Sequence, residues 1–216
     1  PRRSSDLDTA DVDDVVWGTS SQVCEQSGDL GRMSALDAGY DIKASGVTLD
    51  RFCGSGITSA NIAATAIMAG MEDLVVSGGT EMMSLPKKGL LPMGAGNPHL
   101  EELHPQSHQG VCADAIATLE GIPRADLDAL AAESQTRAER AIKEGRFDRS
   151  LIPVHNPDGS VALDREEFPR PGTTAESLAN LKPSFPAVAD YRHDDGSKTF
   201  RELFKQSYPD LEIERV

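Results

Sequence analysis

The chain has 216 residues, of which 38% are hydrophobic and 5% aromatic, enough for one large domain or two small ones with a sizeable core. Its 35 acidic and 21 basic residues give a formal net charge of −14, and no basic stripe offsets this charge. A chain this acidic is repelled by phosphate groups, which argues against nucleic acids and anionic membrane surfaces as partners. No run of apolar residues is long enough to span a bilayer.

The three cysteines, Cys24, Cys53 and Cys112, are an odd number at wide spacing. This spacing suits neither a disulfide framework nor a zinc site, so we predict no bound metal. A reducing compartment is the simplest interpretation, and we predict a cytoplasmic location. No secretory signal is visible, and because the chain begins at Pro1 rather than Met, we expect a segment to precede it.

The first 84 residues predict strands and helices in alternation. The predicted elements are a strand at 12–17, a helix at 28–39, a strand at 46–49, a tight turn at 51–56, a helix at 57–69 and a strand at 74–79. Strand, helix and strand within about 35 residues form a βαβ unit, which predicts a parallel sheet with a right-handed crossover. The surface of the helix at 57–69 is small and apolar nearly all round, so we expect this helix to be buried.

The sequence changes character at Leu85, and residues 85–110 are rich in Pro, Gly and His with little periodicity. Such an irregular stretch in a compact domain is usually functional or disordered. The elements predicted after it are helices at 111–119, 123–144 and 200–208, a strand at 152–154, a turn at 156–159 and a loop at 170–174. The helix at 123–144 is amphipathic, with Leu127 and Leu130 on its apolar face, and Thr174 is a candidate cap for a short helix with Ser177 in its first turn.

Cys53 stands between a predicted strand and a predicted helix and is followed by Gly54-Ser55-Gly56. A sharp turn exposes a side chain, and the glycines let a substrate carbonyl approach the backbone. The amino terminus of a helix favours a thiolate, which is the form of cysteine that attacks an acyl carbon. Cys53 is therefore a candidate nucleophile.

Two alternatives for this turn stay open on the local pattern alone. In the first alternative Cys53 is a buried structural cysteine. In the second the turn binds phosphate, although no Gly-x-Gly-x-x-Gly or Walker pattern follows. For Cys112, in an apolar helix, we predict a packing role, and for Cys24 we predict no catalytic role.

Several motifs in order resemble the thiolase family. The segment from Arg51 to Gly56 resembles the turn that carries the thiolase nucleophile, and residues 72–84, which end in Gly-Gly-Thr-Glu-Met-Met-Ser, resemble the segment that follows it. The resemblance continues through His108-Gln109-Gly110, Gly145-Arg146-Phe147, Arg170-Pro171-Gly172-Thr173-Thr174 and Leu181-Lys182-Pro183. It covers most of residues 12–190.

This resemblance implies an α/β protein with a thiolase-like fold. It implies a partial amino-terminal βαβ core at 1–84, an inserted loop domain at 85–190 that covers coenzyme A, and a segment at 191–216 that returns toward the core. The implied activity is Claisen-type acyl transfer between coenzyme A thioesters, with Cys53 as nucleophile and coenzyme A as a substrate rather than a permanently bound cofactor. The residues that fall where family members contact coenzyme A are Leu100, His108, Gln109, Arg170 and Ser177.

Other features of the resemblance limit the prediction. Gln109 stands where many members carry Met beside the acyl pocket, which leaves the acyl-chain preference open. The family's Gly-His-Pro histidine and Cys-Gly-Gly cysteine are not in this sequence, so we expect the chain to be an incomplete, amino-terminal part that is inactive alone. In the complete protein we expect a homodimer or homotetramer. The alternatives are a non-catalytic acyl-CoA-binding or oligomerising remnant and a related condensing enzyme of the ketoacyl synthase type.

Overall fold

The computed structural model describes residues 7–85, 97–192 and 198–213. The chain forms two compact units, residues 2–91 and residues 92–216, called here the amino-terminal and carboxyl-terminal units. No helix among the described residues is long and apolar enough to cross a membrane. The predicted domain boundaries at residues 84 and 190 stay predictions.

The described part of the amino-terminal unit contains a three-stranded parallel sheet, as the sequence predicted. Its strands are β1 (Asp14–Gly18), β2 (Val47–Leu49) and β3 (Val75–Gly79), in the order β2-β1-β3. Helix α1 (Leu30–Asp37) connects β1 to β2, and helix α2 (Ser55–Met68) connects β2 to β3. The α/β fold predicted from the βαβ pattern is therefore confirmed.

The core of this unit lies between the sheet and α1. It is formed by buried Val12, Val15, Ala35 and Ala44, against which Trp17, Tyr40, Leu74 and Val76 pack. Two glycines make this packing close, because a Cβ on Gly31 would lie 2.7 Å from the Cβ of Trp17 and one on Gly78 would lie 2.5 Å from its ring. Small residues thus let one large aromatic side chain fill the space that several medium-sized ones would otherwise fill.

The prediction that α2 is buried all round is wrong. The buried residues of α2 are small: Ser55, Thr58, Ser59 and Ala63. All but Ala63 carry a hydroxyl. The large apolar side chains lie on the other side, where Ile57 is 72% and Met68 87% exposed. The composition is apolar nearly all round, but close contact with the sheet selects the small residues, so the larger ones face away from it.

The carboxyl-terminal unit is mostly helical. Its described elements are α3 (Pro98–Leu103), α4 (Gln109–Glu120), α5 (Arg124–Lys143), β4 (Val154–His155), β5 (Val161–Leu163), α6 (Ala175–Ala179), α7 (Pro186–Ala189) and α8 (Phe200–Ser207). The predicted helices at 111–119, 123–144 and 200–208 are found within two residues of their predicted bounds. Strand β4 overlaps the predicted strand at 152–154 only at Val154, and it pairs antiparallel with β5, which the sequence did not predict.

Two expectations for this unit need correction. Part of the stretch predicted as irregular, 85–110, is helical: α3 begins at Pro98, and the side chain of Asn97 accepts a hydrogen bond from the Leu100 amide at 3.1 Å. On α5 the predicted apolar face is only partly covered, since Leu127 is half-buried, Leu130 is 70% exposed and the buried residue is Asp128. Residues 86–96 of the same irregular stretch lie outside the described residues.

Candidate active site

Cys53 lies in the turn between the end of β2 and the start of α2, as predicted, and its side chain is exposed. The amide of Gly54 donates to the carbonyl of Arg51 at 3.0 Å, which closes the turn immediately before the helix. Phe52 has a φ of 48°, a left-handed conformation that is uncommon for a residue other than glycine. Its amide donates to Oδ1 of Asp50 at 2.7 Å, which helps to hold that conformation.

Buried Ser55 organises this turn from inside. Its hydroxyl accepts a hydrogen bond from the amide of Arg51 at 2.8 Å and donates one to the carbonyl of Phe52 at 2.7 Å. The two bonds fix the backbone on the amino-terminal side of Cys53. A turn that is locked in this way presents its side chain in a narrow range of positions, which is what a nucleophile requires.

Helix α2 begins unusually close to the ends of the strands. A Cβ on Gly18, the last residue of β1, would lie 2.6 Å from the carbonyl carbon of Ser55. The hydroxyl of Ser59 lies 2.8 Å from the carbonyl oxygens of both Gly56 and Gly78, so it can donate to either. The missing side chain at Gly18 therefore allows the start of α2, and with it Cys53, to lie over the carboxyl end of the sheet.

An open cavity of about 460 Å³ lies beside Cys53. Its lining comes from the ends of β1 and β3, from the segments that follow them and from the nucleophile turn, and includes Ser20, Ser21, Phe52, Cys53, Glu81 and Met83. A Cβ on Gly56 would meet nothing within 4 Å, so the backbone beside Cys53 is open on that side. Ligands of α/β proteins commonly bind outside the carboxyl ends of the strands, which is where this cavity lies.

Of the residues predicted to contact coenzyme A, two lie at the start of α4. His108 caps this helix, and its Nδ1 accepts a hydrogen bond from the amide of Gly110 at 3.1 Å. Its half-buried ring lies 5.5 Å from the rings of Phe185 and Phe200. Because Nδ1 already accepts the hydrogen bond from the helix, Nε2 is the ring nitrogen that can form a hydrogen bond with a ligand. Gln109 is exposed at the first position of the helix, and Leu100 is half-buried in α3.

The other two predicted residues lie near α5 and α6. Arg170 is exposed, and its amide donates to Oε1 of Gln135 in α5 at 2.7 Å. Ser177 forms the predicted capping box of α6 with Thr174, each side chain accepting from the other residue's amide at 3.2 Å. The hydroxyl of Ser177 also donates to the Thr174 carbonyl, so a ligand would compete with that bond. All five predicted residues belong to the carboxyl-terminal unit and Cys53 to the other.

The sequence pattern did not single out Gly18, Ser55, Gln26 or Glu81, although each of them shapes the surroundings of Cys53. The available signal was the position of Gly18 and Gly79 at the ends of two predicted neighbouring strands, since glycine at such an end often marks close approach of another backbone. Gln26 gave no such signal, and Glu81 gave only its place in the motif Gly-Gly-Thr-Glu-Met-Met-Ser, on which the family resemblance rests. They are 55 residues apart, and only the fold brings them together.

Comparison with known protein families agrees with this geometry. The family model described as the thiolase N-terminal domain matches residues 3–189. The chain is 37% identical over 195 residues to a 3-ketoacyl-CoA thiolase of Pseudoalteromonas translucida (strain TAC 125), a match that covers 85% of this chain and 48% of that relative. A 3-ketoacyl-CoA thiolase of Shewanella frigidimarina (strain NCIMB 400) is 36% identical over 198 residues, covering 86% and 49%.

Two solved structures resemble the fold. The dimeric peroxisomal thiolase of Saccharomyces cerevisiae superposes with a TM-score of 0.73 at 29% identity, over 89% of this chain and 48% of that one. The acetyl-CoA acetyltransferase of Bacillus anthracis gives a TM-score of 0.70 at 30% identity, over 89% and 50%.

A parallel sheet with a cysteine turn over its carboxyl end, matched along most of its length by one family model, defines an α/β protein of the thiolase type. The chain belongs to the thiolase N-terminal domain family. It spans about half the length of the curated relatives it matches.

Proposed function

We propose that this chain carries the nucleophile and part of the coenzyme A site of an acyl-CoA C-acyltransferase, with Cys53 as the residue that accepts the acyl group. The observation that carries the proposal is the exposed thiol of Cys53, held between β2 and α2 at the mouth of an open cavity. The relatives are described as 3-ketoacyl-CoA thiolases, and we propose 3-ketoacyl-CoA thioesters as the substrate class. The family match favours this over a condensing enzyme of the ketoacyl synthase type.

The proposed step is attack by the Sγ of Cys53 on the acyl carbonyl carbon. A carbon–sulfur bond forms between Cys53 and that carbon. In a 3-ketoacyl-CoA the bond between the 3-keto carbon and C2 breaks, and acetyl-CoA leaves once its C2 carbanion has taken up a proton from an acid. In acetyl-CoA the bond between the carbonyl carbon and the thioester sulfur breaks, and coenzyme A leaves as a thiolate that takes up a proton. The amino terminus of α2 stabilises the attacking thiolate through its dipole. The acyl group then passes to the thiol of a second coenzyme A, whose proton must be taken up by a base; no such base is assigned here to a residue of this chain.

The test of Cys53 is direct acylation. Because the chain is expected to be inactive alone, the complete protein is incubated with acetoacetyl-CoA or acetyl-CoA, and the adduct is mapped by mass spectrometry. Limiting iodoacetamide is used in parallel to compare Cys24, Cys53 and Cys112. We expect the acyl adduct and the first alkylation on Cys53, both absent in Cys53→Ala and both retained in Cys24→Ala. Acylation or alkylation that prefers Cys24 or Cys112 contradicts the proposal and favours a non-catalytic role.

For the carboxyl-terminal unit we propose that Leu100, His108, Gln109, Arg170 and Ser177 contact coenzyme A, with Arg170 near a phosphate and Ser177 near the pantetheine. An exposed guanidinium in a strongly acidic chain is a local attraction for a nucleotide phosphate. Arg170→Ala should weaken coenzyme A binding by about 1.5–3 kcal/mol. Arg165→Ala removes the same charge from an exposed position on the preceding segment and serves as the control in calorimetry. Equal affinities of the two variants would reject the role of Arg170.

A homodimeric or homotetrameric complete protein and a cytoplasmic location stay predictions. The yeast structure is described as a dimer, which supports the first of them. Sedimentation of the complete protein tests the assembly.

A further inference from the structure

Glu81 lies on the wall of the Cys53 cavity, two residues after the end of β3. Its Oε2 accepts hydrogen bonds from the backbone amides of Ser20 at 3.0 Å and Ser21 at 3.2 Å, and its Oε1 accepts one from Nε2 of Gln26 at 3.2 Å. One side chain thus ties the segment after β3 to the segment after β1. These three hydrogen bonds join residues that are 55 to 61 positions apart, so local sequence does not predict them.

Gln26 completes the connection from the other side. It is only 3% exposed, and both ends of its amide are paired: Nε2 donates to the Ser21 carbonyl at 2.9 Å as well as to Glu81, and Oε1 accepts from the Met82 amide. A buried amide left without partners would destabilise the fold, because it would have lost its bonds to water without replacing them. The pair Glu81 and Gln26, called here the loop clamp, is therefore a fully bonded unit rather than a chance surface contact.

The clamp holds a loop that has an unfavourable conformation. Cys24, within the clamped segment 20–26, has a φ of 50°, and a left-handed conformation is unfavourable for a residue other than glycine because its Cβ crowds the backbone. Such conformations persist where surrounding contacts determine them, and they concentrate at functional sites. Burial raises the pKa of Glu81, but the hydrogen bonds from Ser21, Gln26 and the amide of Ser20 outweigh it and hold the pKa below its usual value, so the clamp keeps its carboxylate ionised.

We propose that Glu81 is a positioning residue for acyl transfer at Cys53. Acting through Gln26 and the amides of Ser20 and Ser21, it fixes Ser20 and Ser21 as the part of the cavity wall along which the acyl chain lies. The cavity also carries the apolar side chains of Phe52 and Met83, which suit an aliphatic chain. The inference rests on the proposed function, since it assigns the cavity to the acyl group that Cys53 receives.

The test compares how Cys53 reacts with iodoacetamide and with N-hexyl iodoacetamide, whose aliphatic chain must enter the cavity. The ratio of the two rates, mapped by mass spectrometry at Cys53 with Cys112 as internal reference, reports the shape of the wall and not the folded fraction. We expect Glu81→Gln to lower the ratio of hexyl to parent reagent about tenfold, because displaced walls misalign a bound chain. Glu25→Gln removes the same charge from the same exposed loop and should leave the ratio unchanged.

Two further variants keep the test decisive if Glu81→Gln folds poorly. Glu81→Asp keeps the carboxylate but shortens its reach, and should give an intermediate ratio. Gln26→Met removes the amide that bonds to Glu81 while filling a similar volume, and should lower the ratio in the same direction as Glu81→Gln. The unfolding midpoint of each variant is measured by circular dichroism.

The outcomes separate this inference from the proposed function. If the unsubstituted complete protein forms no acyl adduct on Cys53 with acetyl-CoA, the proposed function fails, and the role of Glu81 fails with it. If the adduct forms but Glu81→Gln and Glu25→Gln give the same ratio, the role of Glu81 alone is rejected. Equal slowing of both reagents, together with a lower unfolding midpoint, also rejects it, because that is the effect of a purely structural residue.

Discussion

Gly18 controls how closely helix α2 approaches strand β1. A methyl group at this position would overlap the backbone of Ser55, which is followed by an ordinary helix and cannot move alone. Gly18→Ala should therefore lower the free energy of unfolding of the amino-terminal unit by about 2 kcal/mol or more, the cost of overpacking a close contact.

The matched control for Gly18→Ala is Gly56→Ala on α2. The added methyl group meets nothing within 4 Å, and Gly56 has no left-handed φ, so the replacement should stabilise the helix by up to about 1 kcal/mol. Urea unfolding of both variants, followed by tryptophan fluorescence, measures the difference. Equal changes in the free energy of unfolding would contradict this prediction. They would mean that the backbone around Ser55 can move to admit a methyl group at Gly18, despite the distance of 2.6 Å.

Two carboxylates at the amino ends of β1 and β3 should respond to pH in opposite ways. Hydrogen bonds from the amides of Leu74 and Asp73 lower the pKa of Asp13. Burial, followed by repulsion from Asp14 and Asp13, raises the pKa of Glu72, whose Oε2 has no hydrogen-bond partner among the described residues. Ionised Asp13 therefore stabilises the fold, whereas ionised Glu72 opposes it.

The sign of each effect follows from linkage. The stability from Asp13 is present above its unfolded pKa and is lost as the pH falls through its lower folded pKa, so Asp13→Asn should destabilise the chain at pH 7. Glu72 binds its proton more tightly in the folded state, so stability falls as the pH rises through its raised pKa, and Glu72→Gln should stabilise at pH 7. Both differences should shrink in acid, below the folded pKa of Asp13. Urea unfolding midpoints measured at several pH values test both signs. If at pH 7 both variants shift the midpoint in the same direction relative to the unsubstituted chain, the prediction is contradicted.

At the scale of elements, the contact between α5 and α6 depends on a residue that the apolar pattern did not predict. Arg124 donates from Nε to Oδ1 of buried Asp128 at 2.8 Å and from Nη2 to the carbonyl of Leu178 at 2.7 Å. Removing its guanidinium leaves a buried carboxylate and a helix-end carbonyl without their donor. Arg124→Ala should destabilise the carboxyl-terminal unit by about 2 kcal/mol.

The same helix supplies the control for Arg124→Ala. Arg137 forms an ion pair of the same spacing with Glu133 at 2.7 Å, but the two side chains are 70% and 51% exposed. Arg137→Ala should cost less than about 0.5 kcal/mol, because exposed pairs contribute little. The loss of helical circular dichroism with temperature measures both. A larger effect for Arg137 would show that helix propensity, and not the contact between α5 and α6, governs this unit.

The sequence predicted the elements where local chemistry decides, and missed those that tertiary contacts decide. Strands β1 and β3 followed from short β-branched runs, and the start of α6 from the cap at Thr174. The burial of Asp128 on α5 was not predicted, because it depends on Arg124, which pairs with Asp128 on the same helix and also donates to the carbonyl of Leu178 in α6. The position of Cys53 in its turn was predictable. The loop clamp was not, although Glu81 lies in a segment on which the family resemblance rests, because nothing in the sequence indicates that Gln26, 55 residues away, pairs with it.

At the scale of the whole molecule, the exposed apolar side of α2 should dominate the behaviour of this chain in solution. Ile67 is 46% and Met68 87% exposed, next to similarly exposed Ile57 and Met71. Replacing Ile67 and Met68 with Lys should reduce light scattering and binding of an apolar dye, with less than about 0.5 kcal/mol change in the free energy of unfolding.

Ala64→Lys adds charge to an exposed position of the same helix without removing a large apolar side chain, and serves as its control. The double replacement should reduce dye binding more than this control does. Equal dye binding in both variants would locate the associating surface elsewhere.

Trp17 gives the molecule a built-in optical label. It is the only tryptophan in the chain, its indole Nε1 donates to Oγ1 of Thr80 at 3.0 Å, and its ring packs on Gly78. Emission excited at the red edge of the protein band therefore comes from the amino-terminal unit alone, close to the segment that leads to Glu81. The helices α3 to α8 supply most of the far-ultraviolet ellipticity from the other unit. One heating experiment that records both signals therefore compares the unfolding temperature of the amino-terminal unit with that of the mostly helical carboxyl-terminal unit. It requires no added dye or engineered label.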